Sequence, residues 1–144
     1  MNNQFVALVS CVKSKLSSAA PAHELYTSQL FSGMSRYAQR NAAKWFILSA
    51  EHGLLRPEQI ITPYEKTLNK MSKTDRVNWA KRVNDALLTE LAPGAVVLIL
   101  AGERYREGVV PFLKEHGFKV LIPMAGMKFG QQLRWLNSQV PVHE

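Results

Sequence analysis

The chain has 144 residues, 47% of them apolar, which suits one globular domain with its own core and excludes a disordered chain. Its net charge of +7 and pI near 9.8 favour a polyanionic partner, most commonly nucleic acid, although a basic surface also serves solubility alone. No apolar run approaches the ~20 residues of a membrane span, Met1-Asn2-Asn3-Gln4 opens no leader-like pattern, and the single Cys11 cannot form an internal disulfide, so a cytoplasmic protein without a membrane partner is expected.

Phe5-Val6-Ala7-Leu8-Val9 predicts a first buried strand that ends in Ser10-Cys11. Val12 to Pro21 is small, polar and basic and reads as a loop. A helix is expected from His23 to about Asn41, with Leu25, Leu30, Phe31, Met34 and Tyr37 as its apolar stripe. Trp45-Phe46-Ile47-Leu48 is the second strand. It runs into Ser49-Ala50-Glu51-His52-Gly53 and a long loop stiffened by Pro57 and Pro63. Ser72-Lys73-Thr74-Asp75 fits a helix start, after which Ala80, Val83, Leu87 and Leu91 recur at helical spacing up to Pro93-Gly94. Ala95 to Leu100 is the clearest strand. A helix from Arg104 to His116 follows, stopped by Gly117. Lys119 to Ile122 is a fourth strand, and a last helix carries Leu133, Trp135, Leu136 and Val140.

Continuous apolar strands alternating with helices predict one domain over residues 1–144, a parallel sheet covered on both faces. Ligands of such sheets collect outside the carboxyl ends of the strands. Ser10-Cys11, Ser49 to Gly53, Ala101-Gly102 and Pro123 to Gly126 are therefore expected to share one rim. The basic excess is also local. Arg56 to Arg82 holds seven basic residues against three acidic ones, a cationic flank beside the long loop.

Several chemistries fit this rim. Ser10, Lys13 and Lys15 suit an anion, but lack the glycines and the Gly-Lys-Ser/Thr of a nucleotide P-loop; an exposed basic loop has the same composition. Cys11 is either a nucleophile activated by nearby lysines or a buried structural thiol. His23, His52, His116 and His143 show no ligand spacing, so neither metal nor other cofactor is expected. Glu51 and Glu65 are suited to stabilising a sugar cation and activating water, with His52 as a hydrogen-bonding or proton-donating neighbour. The same residues also fit a solvent-facing Glu51 and a turn-capping Glu65. Tyr26, Tyr64 and Tyr105 are candidate stacking platforms for a base or ordinary core tyrosines. Gly126 and Gly130 are too sparse for a dinucleotide fingerprint and suit close packing before the last helix.

The runs Ser10-Cys11-x-Lys13-x-Lys15, Leu25-Tyr26-x-Ser28-x-Leu30-Phe31, Leu48-Ser49-Ala50-x-His52-Gly53-Leu54, Pro63-Tyr64-Glu65-x-Thr67-Leu68 and Ala101-Gly102-x-x-Tyr105 together resemble small DUF-type proteins of bacteria and phages. The pattern Leu48-Ser49 … Gly53-Leu54-Leu55-Arg56-Pro57 … Pro63-Tyr64 is also similar to the DNA-binding YaaA-type peroxide-stress proteins and to the uracil-DNA-glycosylase-like domain of archaeosine synthases. The chain has neither the Gly-Gln-Asp-Pro-Tyr motif nor the His-Pro-Ser-Pro-Leu loop of uracil-DNA glycosylases.

The wider resemblance implies a three-layer α/β sandwich with a mainly parallel four-stranded sheet, uracil-DNA-glycosylase-like, and a base pocket at the strand ends. It implies excision of a flipped, modified base from DNA, glucosylated hydroxymethylcytosine of phage DNA being one example. On that expectation Glu51, His52 and Glu65 are catalytic. Tyr26 or Tyr64 stacks the base, and Ser10, Lys13 and Ser49 hold phosphate or base substituents. Cys11, Lys15, Ser28, Gly53, Gly102, Arg104, Tyr105 and Gly126 complete the substrate-binding set, and DNA lies along the Arg56 to Arg82 flank. Two alternatives use the same residues: a nucleoside or nucleotide N-glycosidase or deoxyribosyltransferase, and a non-catalytic YaaA-like DNA-binding protein. Oligomeric state is left open.

Overall fold

The continuous apolar runs become the central strands. The computed structural model describes residues 4–139; Val140 and His143 lie outside the described residues. In chain order the elements are β1 (Phe5–Ser10), β2 (Ala20–Pro21), α1 (Ala22–Leu25), α2 (Gln29–Asn41), β3 (Lys44–Ser49), β4 (Gly53–Leu55), β5 (Ile60–Ile61), a 3-10 turn (Leu68–Lys70), α3 (Lys73–Glu90), β6 (Val96–Leu100), α4 (Glu103–Arg106), α5 (Val109–Glu115), β7 (Lys119–Leu121) and α6 (Phe129–Ser138).

The main sheet has the order β4-β3-β1-β6-β7. β1 lies between β3 and β6, parallel to both, so that Leu8 stands beside Phe46 on one side and Ile99 on the other. β7 extends the parallel set, and β4 closes the opposite edge antiparallel to β3. A separate ribbon pairs β2 with β5. The chain moves one way from β1 through α2 to β3, then back past β1 through α3 to β6. Right-handed crossovers therefore place α2 and α3 on opposite faces. α2 packs on β1, β3 and α6, while α3 packs on β4 and α5 and α5 on β7. Ala7, Leu8, Val9, Ile47, Leu48, Val97 and Leu100 are fully buried between these layers, as strands covered on both faces must be.

The sheet has five strands, not four. The extra one lies inside the stretch that reads as a loop: Gly53 adopts φ +73°, open to glycine, and lets the chain reverse over residues 50–52 so that Gly53 pairs back onto Ser49. Leu55 then buries its side chain against the core. The helix expected from His23 to Asn41 is two helices. Tyr26 is extended and bridges to Lys15, and Ser28 restarts the helix by accepting a hydrogen bond from the Phe31 N–H at 3.0 Å. Ser72 caps α3 in the same way, as its sequence predicts.

The helix expected from Arg104 to His116 is also broken, between α4 and α5. Gly108 marks the break. A Cβ there would lie 2.5 Å from the Ala80 Cβ of α3, so only glycine permits this approach. Asn84 donates to the Gly108 carbonyl at 3.2 Å and fixes the junction.

Candidate functional site

β1 and β6 are neighbours whose connections leave in opposite directions, and ligands of open α/β sheets bind at such switch points. A cavity of about 520 Å³ opens there. Ser10 and Cys11 at the end of β1 line it together with Gly102, Arg104, Tyr105 and Arg106 after β6, and with Gly126. A second cavity of about 660 Å³ is lined by Lys13, Lys15, Ser28, Tyr64, Glu65, Lys66 and Lys70. Cys11, Leu30, Asn69 and Tyr105 line both, making them two arms of one cleft, a strand-end arm and a lysine arm. Three of the four strand-end segments expected to share a rim thus meet here, Ser10-Cys11, Ala101-Gly102 and the turn with Met124 and Gly126. Ser49 to Gly53 lines neither arm, because Ser49 is buried and the chain turns back at once into β4.

Local hydrogen bonding holds the walls. The Val12 to Ser18 loop is pinned to the end of α1 and the residues that follow it through Leu16 N–H to Leu25 O and Thr27 N–H to Ser14 O. Lys15 Nζ donates to its neighbour Lys13 O at 3.1 Å and sits 4.5 Å from the centre of the Tyr64 ring, a cation–π contact. Behind it runs a chain of hydroxyls. Tyr26 and Tyr64 share a hydrogen bond of 2.6 Å, Tyr64 and Ser49 one of 2.8 Å, and Ser49 Oγ accepts from the His52 N–H at 3.0 Å. Trp79 donates to the Ser49 carbonyl at 2.8 Å, tying the network to α3.

Burial raises all three phenol pKa values, because a phenolate loses its hydration there. Tyr26 is pushed up to about 12, and Tyr64 and Tyr105 are also raised, with the nearby Cys11 as a secondary cause. These hydroxyls are neutral hydrogen-bond donors across the physiological range. Cys11 is buried at the junction of the arms, with its Sγ 3.3 Å from the Tyr105 hydroxyl. Tyr26 is only 3% exposed. Contrary to its expected stacking role, it has no free face for a base and instead braces Tyr64.

The three candidate catalytic residues separate. Glu65 lies on the lysine arm and makes no hydrogen bond or ion pair among the described residues, so it does not cap a turn. Glu51 sits on the hairpin turn, 44% of its side chain exposed, with Lys66 Nζ at 3.7 Å and its own carbonyl accepting from Arg82. His52, on the same turn, packs edge-on to the Tyr64 ring at 5.6 Å. Gly53 is on the far side of that turn, against Arg82.

The cationic flank is partly neutralised. Arg56 pairs with Glu90, Lys66 with Glu51, and Arg76 with Glu107. Arg104 also reaches Glu107, at 3.7 Å.

Several cleft residues escape a reading of the sequence, Asn69 and Arg106 among them. Asn69 lies on both arms from the 3-10 turn, and Arg106 lies on the strand-end arm. The signal for Arg106 is its place four residues after Gly102 of the strand-end rim, with Arg104 and Arg106 flanking Tyr105. Gly126 and Gly130 do not serve close packing, since a Cβ at either meets nothing within 4 Å; Gly126 instead turns the chain with φ +78°. Among the described residues there is no cluster of His, Cys, Asp and Glu that could hold a metal ion. Nor is any helix there long and apolar enough to cross a membrane.

The chain is similar to an uncharacterized protein, YfjM of Bacillus subtilis strain 168, with 24% identity over 147 residues covering 94% of each chain. No solved structure matches it. Residues 6–138, nearly the whole domain and both arms of the cleft, match a family of unknown function, DUF6884, and the chain belongs to that family.

Proposed function

We propose that this protein is a DNA glycosylase, of uracil-DNA-glycosylase-like fold, that hydrolyses the bond between a modified base and its deoxyribose. One observation carries the reading. A single cleft at the carboxyl ends of a parallel sheet sets an unpaired carboxylate, Glu65, beside Tyr64 and the ammonium groups of Lys13, Lys15, Lys66 and Lys70. Lysines suit DNA phosphates. A cleft with two arms has room for a nucleotide turned out of its stack, at a cost of a few kcal/mol.

In this reading Glu65 stabilises the positive charge that develops at C1′ and orients the attacking water. Water adds across the bond: its oxygen goes to C1′, and its proton ends on the departing base. Tyr64 forms the wall beside the reacting sugar. Ser49 and His52 position Tyr64 through the hydroxyl chain and the edge-on ring contact. Glu51 holds Lys66 in place.

The test is incubation of the protein with DNAs carrying different modified bases, followed by mass spectrometry of the released material and assay for abasic sites. A freed base with a matching abasic site is the expected result. No release from any DNA of the panel overturns the assignment. The excess of lysines over carboxylates on the lysine arm also suits a DNA-binding protein without catalysis. Tight, salt-sensitive binding with no base released is the outcome that selects it.

A further inference from the structure

Among the described residues, Arg106 is the one arginine on the cleft without an ion pair. Its Nε–H is buried and has no hydrogen-bond partner, and the residue makes no ion pair among the described residues. The nearest acid in sequence, Glu107, is taken by Arg76 and Arg104. Buried donors without an acceptor are rare in folded proteins and call for an explanation. Packing supplies none, because an apolar side chain would fill the space without leaving a donor unpaired. The donor lies instead in a residue that lines the strand-end arm.

A guanidinium offers Nε–H and Nη–H as a fixed fork that fits two adjacent acceptors in one plane. The lysines suited to phosphate line the other arm. The strand-end arm combines apolar walls such as Ile99 and Met124 with an acid, Glu103, a poor pocket for phosphate and a good one for a flat base. Among the DNA bases, two adjacent acceptors occur at O6 and N7 of guanine and at O2 and N3 of cytosine. In adenine and thymine each acceptor on these edges stands beside a donor or alone.

We propose that Arg106 determines base specificity: its unpaired fork reads the two adjacent acceptors of a flipped guanine- or cytosine-type base held in the strand-end arm. This rests on the base-pocket reading above.

Binding of deoxyguanosine, deoxycytidine, deoxyadenosine and thymidine, followed by NMR titration at millimolar concentrations, tests it. The protein is expected to bind deoxyguanosine or deoxycytidine roughly tenfold or more tightly than deoxyadenosine and thymidine, and the favoured nucleoside identifies the edge read. Arg106→Lys, which keeps the charge but loses the fork, is expected to abolish that preference. Arg106→Met is a second, volume-matched variant should the first fail to fold, and the wild-type ranking stands as a test without either. Equal binding of all four nucleosides, binding of none, or a preference that survives Arg106→Lys overturns the proposal. So does Arg106-dependent binding of inorganic phosphate equal to that of the nucleosides, which makes the residue a phosphate anchor. Base release from DNA without this preference removes the inference and leaves the glycosylase. The preference without base release does the reverse.

Discussion

The two arms of the cleft are built on different principles. The strand-end arm stands on the ends of β1 and β6 and on a short helix clamped against α3 at Gly108, and it holds one unanswered guanidinium, Arg106. The lysine arm is made of loops, braced by the Tyr26–Tyr64–Ser49 hydroxyl chain, and carries four lysines on long stems and one carboxylate, Glu65, without an ion-pair partner among the described residues. A single rigid fork discriminates between ligands, whereas several flexible point charges add affinity with little selectivity. The division suits a protein that grips a polyanion by one arm and inspects one unit of it in the other.

The largest effect should separate the two carboxylates. Glu65→Gln is expected to lower base release by about 10²- to 10⁴-fold, the usual range for loss of an acid–base group, while DNA binding persists. Glu51→Gln, which removes only an exposed ion pair with Lys66, should change the rate by a few-fold at most. Single-turnover rates of the two variants check this. The reverse ranking would move the chemistry to the hairpin turn and leave the lysine arm purely as a binding surface.

The strand-end arm is the more sensitive to packing. Gly108→Ala forces a methyl to 2.5 Å from the Ala80 Cβ, and neither atom is at the end of a flexible side chain. A loss of about 1–3 kcal/mol is expected, read as a lower melting temperature and, more tellingly, as weaker nucleoside binding at unchanged DNA affinity. An equal loss at both arms would show that they are not independently built.

How far the sequence shows this division differs between the arms. The central strands and the α3 cap are legible because burial on both faces demands continuous apolar residues and because Ser72 precedes a helical pattern. The meeting of Ser10, Gly102 and Gly126 at one cavity follows from the strand-end rule, but the rule also places Ser49 to Gly53 there, and these line neither arm. The breaks are not legible. The β4 hairpin depends on Gly53 taking a positive φ, and the division between α4 and α5 on Gly108 meeting Ala80, and periodicity registers neither. The hydroxyl chain is likewise hidden, since Tyr26 and Tyr64 are 38 residues apart. For the same reason the sequence pairs Glu51 with Glu65 as equals, whereas an ion pair to Lys66 sets them apart.

The phenol network gives the lysine arm a pH signature. Tyr26 has its pKa raised to about 12 in the folded protein, against about 10 when unfolded. The contribution is fully present below pH 10. Above it the unfolded chain gives up a proton that the folded one keeps, so stability falls as pH rises from 10 to 12. Tyr26→Phe is expected to flatten this decline by up to about 1.4 kcal/mol per pH unit, measured by denaturant unfolding across that window. An unchanged slope would mean that the network titrates elsewhere.

The smallest effect is the most specific to the comparison. Lys13 has no ion-pair partner among the described residues, and it lines the lysine arm. If it neutralises one phosphate, Lys13→Ala should reduce the slope of log K against log salt by about 0.9 on duplex DNA, or about 0.7 on a single strand. The size of the change thereby reports which form lies in the cleft. The loss should be uniform across sequences and leave nucleoside preference untouched, because a point charge on a flexible stem carries no information about the base. A Lys13→Ala variant that altered base preference instead would merge the two arms into one recognition surface, and the separation of grip from inspection would fail with it.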